Sequence, residues 1–217
     1  MNIFGAKLTA DEIARYRSQG YLQVSGLIGA RTIQAARDVM LRGLQPSGGD
    51  SLHAFRTDSA VLACFTKSVR SAAGQLANAR KCSAPRTVYT ITVFPTSAPW
   101  QWPAPHIDHS HEQDRHRTIP PPFRVGCLIY LTDTPLHTGG TVVWPESHRQ
   151  LEAAARAAPE LYEYMSSLNR DIRKFDFLSP QEITAAAGDV LFYDYLCAHA
   201  GSLNNGSAPR IALNHKW

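Results

Sequence analysis

Thr87-Val88-Tyr89-Thr90-Ile91-Thr92-Val93-Phe94 is an unbroken run of β-branched and aromatic side chains, the composition that a pleated, half-buried strand prefers. The character of the chain changes here. Upstream the pattern is helical. Thr9-Ala10-Asp11-Glu12 reads as a capping box, followed at helical spacing by Ile13 and Tyr16 and closed by Gly20, which suits a left-handed C-terminal cap. Tyr21-Leu22-Gln23-Val24-Ser25 alternates like a short strand. A second helix is expected over 31–44, with Ile33, Ala36, Met40, Leu41 and Leu44 as its stripe, and a third over 59–80, with Val61, Leu62, Phe65, Val69, Ala72 and Leu76. Downstream, strands are expected over 87–94, 124–132, 140–145, 189–196 and 209–216, interrupted by one Ala-rich helix at about 150–168. Helices first and strands afterwards predict an α+β, mainly β domain with its helices packed outside an antiparallel sheet or barrel. Residues 1–85 are read as helical support and 86–217 as the barrel core of one domain, 1–217.

Composition narrows the function classes. With 217 residues, 44% hydrophobic and 18% charged, the chain has material for one sizeable core and is not disordered. No apolar run reaches the roughly 20 residues of a membrane span, and the first residues lack a signal-peptide core. A soluble, cytoplasmic protein with no membrane partner is expected. The net charge of +4 and pI near 9.0 raise nucleic acid as a partner, but the basic residues are scattered, and the densest cluster is Arg115-His116-Arg117. The expectation is no nucleic acid and a small-molecule substrate. Cys64, Cys82, Cys127 and Cys197 lie far apart with no Cys-x-x-Cys pair, which fits reduced, buried thiols.

The chemistry concentrates in Pro105-His106-Ile107-Asp108-His109-Ser110-His111. On an extended segment, His106 and Asp108 point to the same side, and one imidazole with one carboxylate makes two thirds of a facial triad for non-haem Fe(II). Gly188-Asp189-Val190 then opens a strand that runs to His199, and Arg210 begins the next. A third ligand at His199 with Arg210 beyond it would join a metal centre to an anion clamp, because the planar guanidinium pairs bidentately with a carboxylate.

The sequence resembles the phytanoyl-CoA dioxygenase family of Fe(II)/2-oxoglutarate-dependent oxygenases over nearly its whole length. The matching pieces are Leu8–Ile13, Gly20–Leu27, His106-x-Asp108, Gly139-Gly140-Thr141-Val142-Val143-Trp144-Pro145-Glu146-Ser147-His148, Gly188-Asp189-Val190, His199 and Arg210. The resemblance implies a double-stranded β-helix, a cupin-like jelly roll, with Fe(II) held by His106, Asp108 and His199. It further implies 2-oxoglutarate as cosubstrate with O2, Arg210 on its far carboxylate, and Thr90 and Thr92 turned inward as cosubstrate contacts, with Ser202 a further candidate. The reaction implied is oxidation of a C–H bond, with release of succinate and CO2. Asp108 favours hydroxylation over halogenation, for which related enzymes replace the carboxylate; desaturation and ring closure stay open.

His109, His111 and His116 are read as loop histidines, with substrate contact or a shifted ligand set as alternatives. His148 is read as structural, and Trp100 and Trp102 either wall the substrate mouth or pack their own loop. Glu146 stands where the family usually has glycine. No module for a CoA nucleotide is evident, so a small or medium-sized metabolite is expected, shaped by loops at 45–58, 96–105 and 109–123. Three other readings compete with this one: a non-catalytic barrel module, a metal-dependent barrel without 2-oxoglutarate, and a nucleic-acid-directed oxygenase.

Overall fold

The computed structural model describes residues 7–44 and 50–217; the start of the chain, where the signal-peptide reading was made, and the tip of the 45–58 loop lie outside them. Thr9 caps helix α1 (Ala10–Gln19) with the expected reciprocal box, and Gly20 ends it at φ 83°. Strand β1 (Tyr21–Val24), helix α2 (Ala30–Arg42) and strand β2 (Ser51–Arg56) follow. The helix expected over 59–80 is two, α3 (Ser59–Leu62) and α4 (Lys67–Leu76). Thr66 divides them: its hydroxyl accepts from Val69 N at 3.1 Å and donates to Leu27 O at 3.0 Å, so a new N-cap interrupts a continuous apolar stripe.

Then come β3 (Val88–Val93), β4 (Val125–Tyr130), β5 (Thr141–Val143), α5 (Ser147–Ala157), α6 (Met165–Arg170), β6 (Gln181–Ile183), β7 (Val190–Asp194), β8 (His199–Gly201) and β9 (Arg210–Lys216). The helix expected at 150–168 is likewise split, with Pro159 just beyond the end of α5.

The strands form two antiparallel sheets, β1-β7-β4-β9-β3-β2 and β6-β5-β8. A bridge between His106 and His199 extends the smaller one. β1 and β2, from the stretch read as helical support, form both edges of the larger sheet, so sheet and support are interleaved in sequence.

Side-chain alternation sorts the larger sheet into two faces. Val88, Val125, Cys127, Ile129, Val190, Phe192, Ile211 and Leu213 pack in one cluster with the helical residues Tyr16, Ile33, Met40, Val61 and Val69. The residues between them, Leu128, Tyr130, Leu191, Tyr193 and Ala212, turn inward and pack with Val143, Ile183 and Cys197 on or beside the smaller sheet. The outer face of the smaller sheet is covered by Leu151, Met165 and Leu168 of α5 and α6. Helices outside and two facing sheets within make an open jelly roll; the strands do not close into a continuous barrel. All four cysteines are buried and unpaired, and among the described residues no helix is long and apolar enough to cross a membrane.

Candidate active site

His106, Asp108 and His199 come together between the sheets, their ligand atoms all within 4.8 Å of one another. Backbone pairing brings the two histidines side by side: His106 N donates to His199 O at 3.0 Å and His199 N to His106 O at 2.9 Å. Ile107, fully buried between the two N-terminal donors, anchors their segment, and its N–H donates to Asn169 Oδ1 at 2.9 Å. His199 Nδ1 lies 2.9 Å from Cys197 O. A carbonyl only accepts, so Nδ1 carries a proton and Nε2 is the nitrogen turned to the site, 3.6 Å from Asp108 Oδ2.

The Asp108 carboxylate is held from two sides. The Tyr193 hydroxyl donates to Oδ2 at 2.8 Å, and Lys216 Nζ stands 3.1 Å from Oδ1. Tyr193 Oη in turn accepts from Asn214 Nδ2 at 2.7 Å. This chain depends on Gly126, which faces Tyr193 across the β4–β7 register; a Cβ there would fall within the tyrosine ring. Burial works to raise the Asp108 pKa, but the His199 ring, Lys216 and the Tyr193 hydroxyl together hold it well below the ordinary carboxylate value. Burial, followed by the proximity of His199, pushes His106 down to about 4, so its imidazole is neutral and available as a ligand at neutral pH.

A cavity of about 240 Å³ runs inward from these residues to Arg210 and is walled by Ile91, Val93, Leu128 and Thr141. Arg210 is 3% exposed. Its Nε donates to Gly139 O, while Nη1 is buried with no partner among the described residues. The guanidinium also lies over the Tyr130 ring, 5.8 Å from its centroid. A buried charged donor left unpaired costs several kcal/mol, so this end of the cavity is built to receive an anion. The donor set at the other end, two imidazoles and one carboxylate, suits a divalent first-row metal. A metal with a short dicarboxylate chelated to it and reaching toward Arg210 therefore fits the residues present.

Thr90 and Thr92 do not line this cavity. Inward-facing residues of β3 are Tyr89, Ile91 and Val93; the threonines are 2% and 1% exposed on the helix-covered face, where Thr90 Oγ1 donates to Ala54 O at 3.0 Å. The strand forms where its composition predicts, but Thr90 and Thr92 face away from the cavity, because a one-residue offset exchanges the two faces. Thr141, on β5, is the threonine that lines the cavity, its hydroxyl accepting from Tyr130 Oη at 3.0 Å. Ser202 points elsewhere, to Gly140 O at 3.0 Å and Glu182 Oε1 at 3.3 Å.

His109, His111 and His116 stay out of the ligand group. His109 and His111 line an adjoining outer cleft, and the His109 ring packs against His116 and Phe123 at 4.7 and 5.3 Å. His148 is structural: Nε2 lies 3.1 Å from Arg17 O and the ring fills the space left by Gly20. Trp100 and Trp102 pack together, Trp100 also on His137, away from both cavities. Glu146 takes the left-handed conformation, φ 63°, which explains why glycine suits that turn. The sequence reading missed His53, Tyr89, Tyr193, Asn214 and Lys216, although the alternation of β9 outward from Arg210 already places Asn214 and Lys216 on the arginine's face.

A two-sheet jelly roll with a His/Asp/His donor group at the mouth of a cavity that ends in a buried arginine is the frame of the non-haem iron, 2-oxoglutarate-dependent oxygenases. The sequence profile of the phytanoyl-CoA dioxygenase (PhyH) family matches residues 48–212. The chain belongs to that family. Among solved structures it is similar to the non-haem α-ketoglutarate-dependent carbocyclase SnoK from nogalamycin biosynthesis, with a TM-score of 0.67 and 17% identity over 95% of this chain and 82% of that one. HygX from Streptomyces hygroscopicus, with nickel and 2-oxoglutarate bound, matches at a TM-score of 0.61 and 15% identity over 96% and 86% of the two chains. EctD from S. alaskensis, with bound Fe, matches at 0.61 and 16% over 95% and 75%. At such identities the likeness is one of fold. A search of the curated proteins finds no significant match.

Proposed function

We propose that residues 1–217 act as one Fe(II)/2-oxoglutarate-dependent dioxygenase domain that oxidises an unactivated C–H bond of a small or medium-sized metabolite, with release of succinate and CO2. The observation that carries this reading is Arg210, a buried guanidinium with an unpartnered Nη1 on the wall of the cavity that begins at His106, Asp108 and His199. A metal centre alone has no use for such a cation, whereas the far carboxylate of a keto diacid pairs with it bidentately.

In this reading His106, Asp108 and His199 would hold the iron, with coordination positions left for cosubstrate and O2. Iron held there would supply activation of O2, the oxidant, with 2-oxoglutarate as the two-electron reductant that leaves as succinate and CO2. The chain supplies the rest. Tyr193 and Asn214 aim the carboxylate, the Cys197 carbonyl fixes the tautomer of His199, and Ile91, Val93 and Leu128 keep water from the cosubstrate. Asp108 occupies its ligand position, which favours oxygen transfer over halogenation. The similar folds include a carbocyclase and an epimerase, so ring closure and other outcomes of hydrogen abstraction belong to the same reading, with hydroxylation its first member.

The test is an anaerobic titration of the purified protein with Fe(II) and then 2-oxoglutarate. A weak visible charge-transfer band that needs both is the expected result. Iron binding without the band would instead establish a metal-binding β module that does not use 2-oxoglutarate, and no iron binding would leave a non-catalytic one.

A further inference from the structure

The inner cavity opens past Asp108 into an outer cleft of about 520 Å³, and the two share Tyr89, Asp108, Asn214 and Lys216 in their walls. That volume lies within the range of metabolite pockets. Its walls are unusually aromatic. Phe55 is 73% exposed at the cleft, packed only 5.1 Å from the Tyr89 ring. Phe123 and Trp217 also line the cleft, with the His109 ring 5.3 Å from Phe123 and His215 4.7 Å from Trp217. A large aromatic left this open on an edge strand beside a cavity is apolar surface awaiting a flat partner.

The second feature is a charge. Lys216 stands at the junction of the two cavities, its side chain 21% exposed, with Asp108 as its ion-pair partner. That carboxylate has one negative charge. Once a divalent metal draws on it, and the two carboxylates of 2-oxoglutarate are matched by metal and Arg210, the Lys216 ammonium remains uncompensated at the edge of the reaction site. Of the other charged groups on the cleft, Asp114 is exposed and lies within the field of His109, and His111 and His215 add no anion. A substrate anion placed against Lys216 restores the balance in a region of low dielectric.

We propose that the substrate is a ring-bearing carboxylic acid, its flat ring held between the aromatic walls of the outer cleft and its carboxylate on Lys216, so that Lys216 is a specificity-determining residue. The inference rests on the function proposed above and is tested separately from it. Protein loaded with Ni(II) in place of iron and with saturating 2-oxoglutarate is titrated with 2-naphthoate and with its neutral counterpart 2-naphthamide, and binding is followed by NMR. The acid binds roughly tenfold or more tightly than the amide, as a charge-assisted contact requires. The preference falls to within about twofold in Lys216→Met and survives in Lys216→Arg, which keeps the charge. Equal binding of the two probes, binding of neither, or a preference that persists in Lys216→Met overturns the proposal; the last result would mean that the acid coordinates the metal. If the Fe(II) and 2-oxoglutarate band is absent, the underlying function fails; if the band forms and the probes are not distinguished, only this inference does.

Discussion

Tyr193→Phe removes one oxygen from the centre of the site and leaves the ring in place. In the native structure that oxygen donates to Asp108 Oδ2 at 2.8 Å and accepts from Asn214 Nδ2 at 2.7 Å. Two effects on metal binding oppose each other. Loss of a donor makes the carboxylate more basic, which strengthens a metal bond by a factor of a few at most. Loss of the same donor also frees the carboxylate to turn toward Lys216, 3.1 Å from its other oxygen. A hydrogen bond to a charged group contributes about 1.5–3 kcal/mol, and removing the partner of a metal ligand typically weakens binding by about 10–100-fold. Orientation therefore wins, and Ni(II) or anaerobic Fe(II) binding to Tyr193→Phe should weaken by that factor in a calorimetric titration. Folding stability falls as well, because the buried Asn214 amide loses its acceptor, at about 1–3 kcal/mol. At about 2–4 °C per kcal/mol for a chain of this size, Tm drops by several degrees. Gly126→Ala, whose Cβ would intrude on the same ring, should reproduce the loss of metal with a larger loss of stability. A Tyr193→Phe variant with lowered Tm and metal affinity within about twofold of wild type would refute the reasoning, and would make Tyr193 a core residue that happens to touch a ligand.

Other perturbations separate the remaining parts. Arg210→Met deletes a buried charge whose Nη1 has no partner; without 2-oxoglutarate its Tm should hold or rise, while the Tm gain on adding 2-oxoglutarate disappears. A 2-oxoglutarate-induced gain equal to wild type would remove Arg210 from the cosubstrate site. Thr90→Val, on the helix-covered face, should cost about 1 kcal/mol through its lost bond to Ala54 O and leave 2-oxoglutarate affinity unchanged; a tenfold weakening would return it to the cavity. Asp194 is pushed by burial from its ordinary 3.8 up to about 6. Between those values the folded protein holds a proton that the unfolded chain has released, so stability falls as pH rises through this window and the cost is complete above pH 6. Asp194→Asn should then raise Tm by a few degrees at pH 7.5, about 1 kcal/mol after allowance for solvent screening, and change it little at pH 4; equal shifts at both would show that titration is not the cause. Glu146→Gly relieves a φ of 63° and should add about 1 kcal/mol to the unfolding free energy, read from denaturant midpoints.

The proposed ligands and the proposed clamp are legible because each combines a residue type with a local rule. His106 and Asp108 stand at strand spacing, His199 follows the apolar run of β7 and opens β8, and Arg210 opens the apolar run of β9. The helix breaks were not legible, because the hydroxyl of Thr66 caps a helix inside a stripe that never loses its apolar period. Nor was β2: one face of Ser51–Arg56 is exposed and the other only half-buried, and nothing in its composition announces pairing with β3. Facing was the harder matter. In β3 both sets of alternating residues are strand formers, and only the helices packed on one side decide that Tyr89, Ile91 and Val93 turn inward.

The same limit explains why the substrate side stays silent in sequence while the cosubstrate side does not. The inner cavity lies between the two sheets, where core packing pins register and most side chains' neighbours follow from the fold. The outer cleft is made where those constraints end: Phe55 on an edge strand, His109 and His111 in a loop, Lys216 and Trp217 past the buried part of β9. Lys216 is there only because β9 continues its alternation beyond Arg210 and Asn214, so one strand carries the proposed cosubstrate clamp, the amide bonded to Tyr193 and the proposed substrate anchor on one face, in that order outward. A change that slipped β9 by one residue would remove all three together. A change confined to Lys216 or Phe55 leaves the register intact and alters only what is recognised at the mouth, and that is where a family with one frame and several reactions has room to diverge.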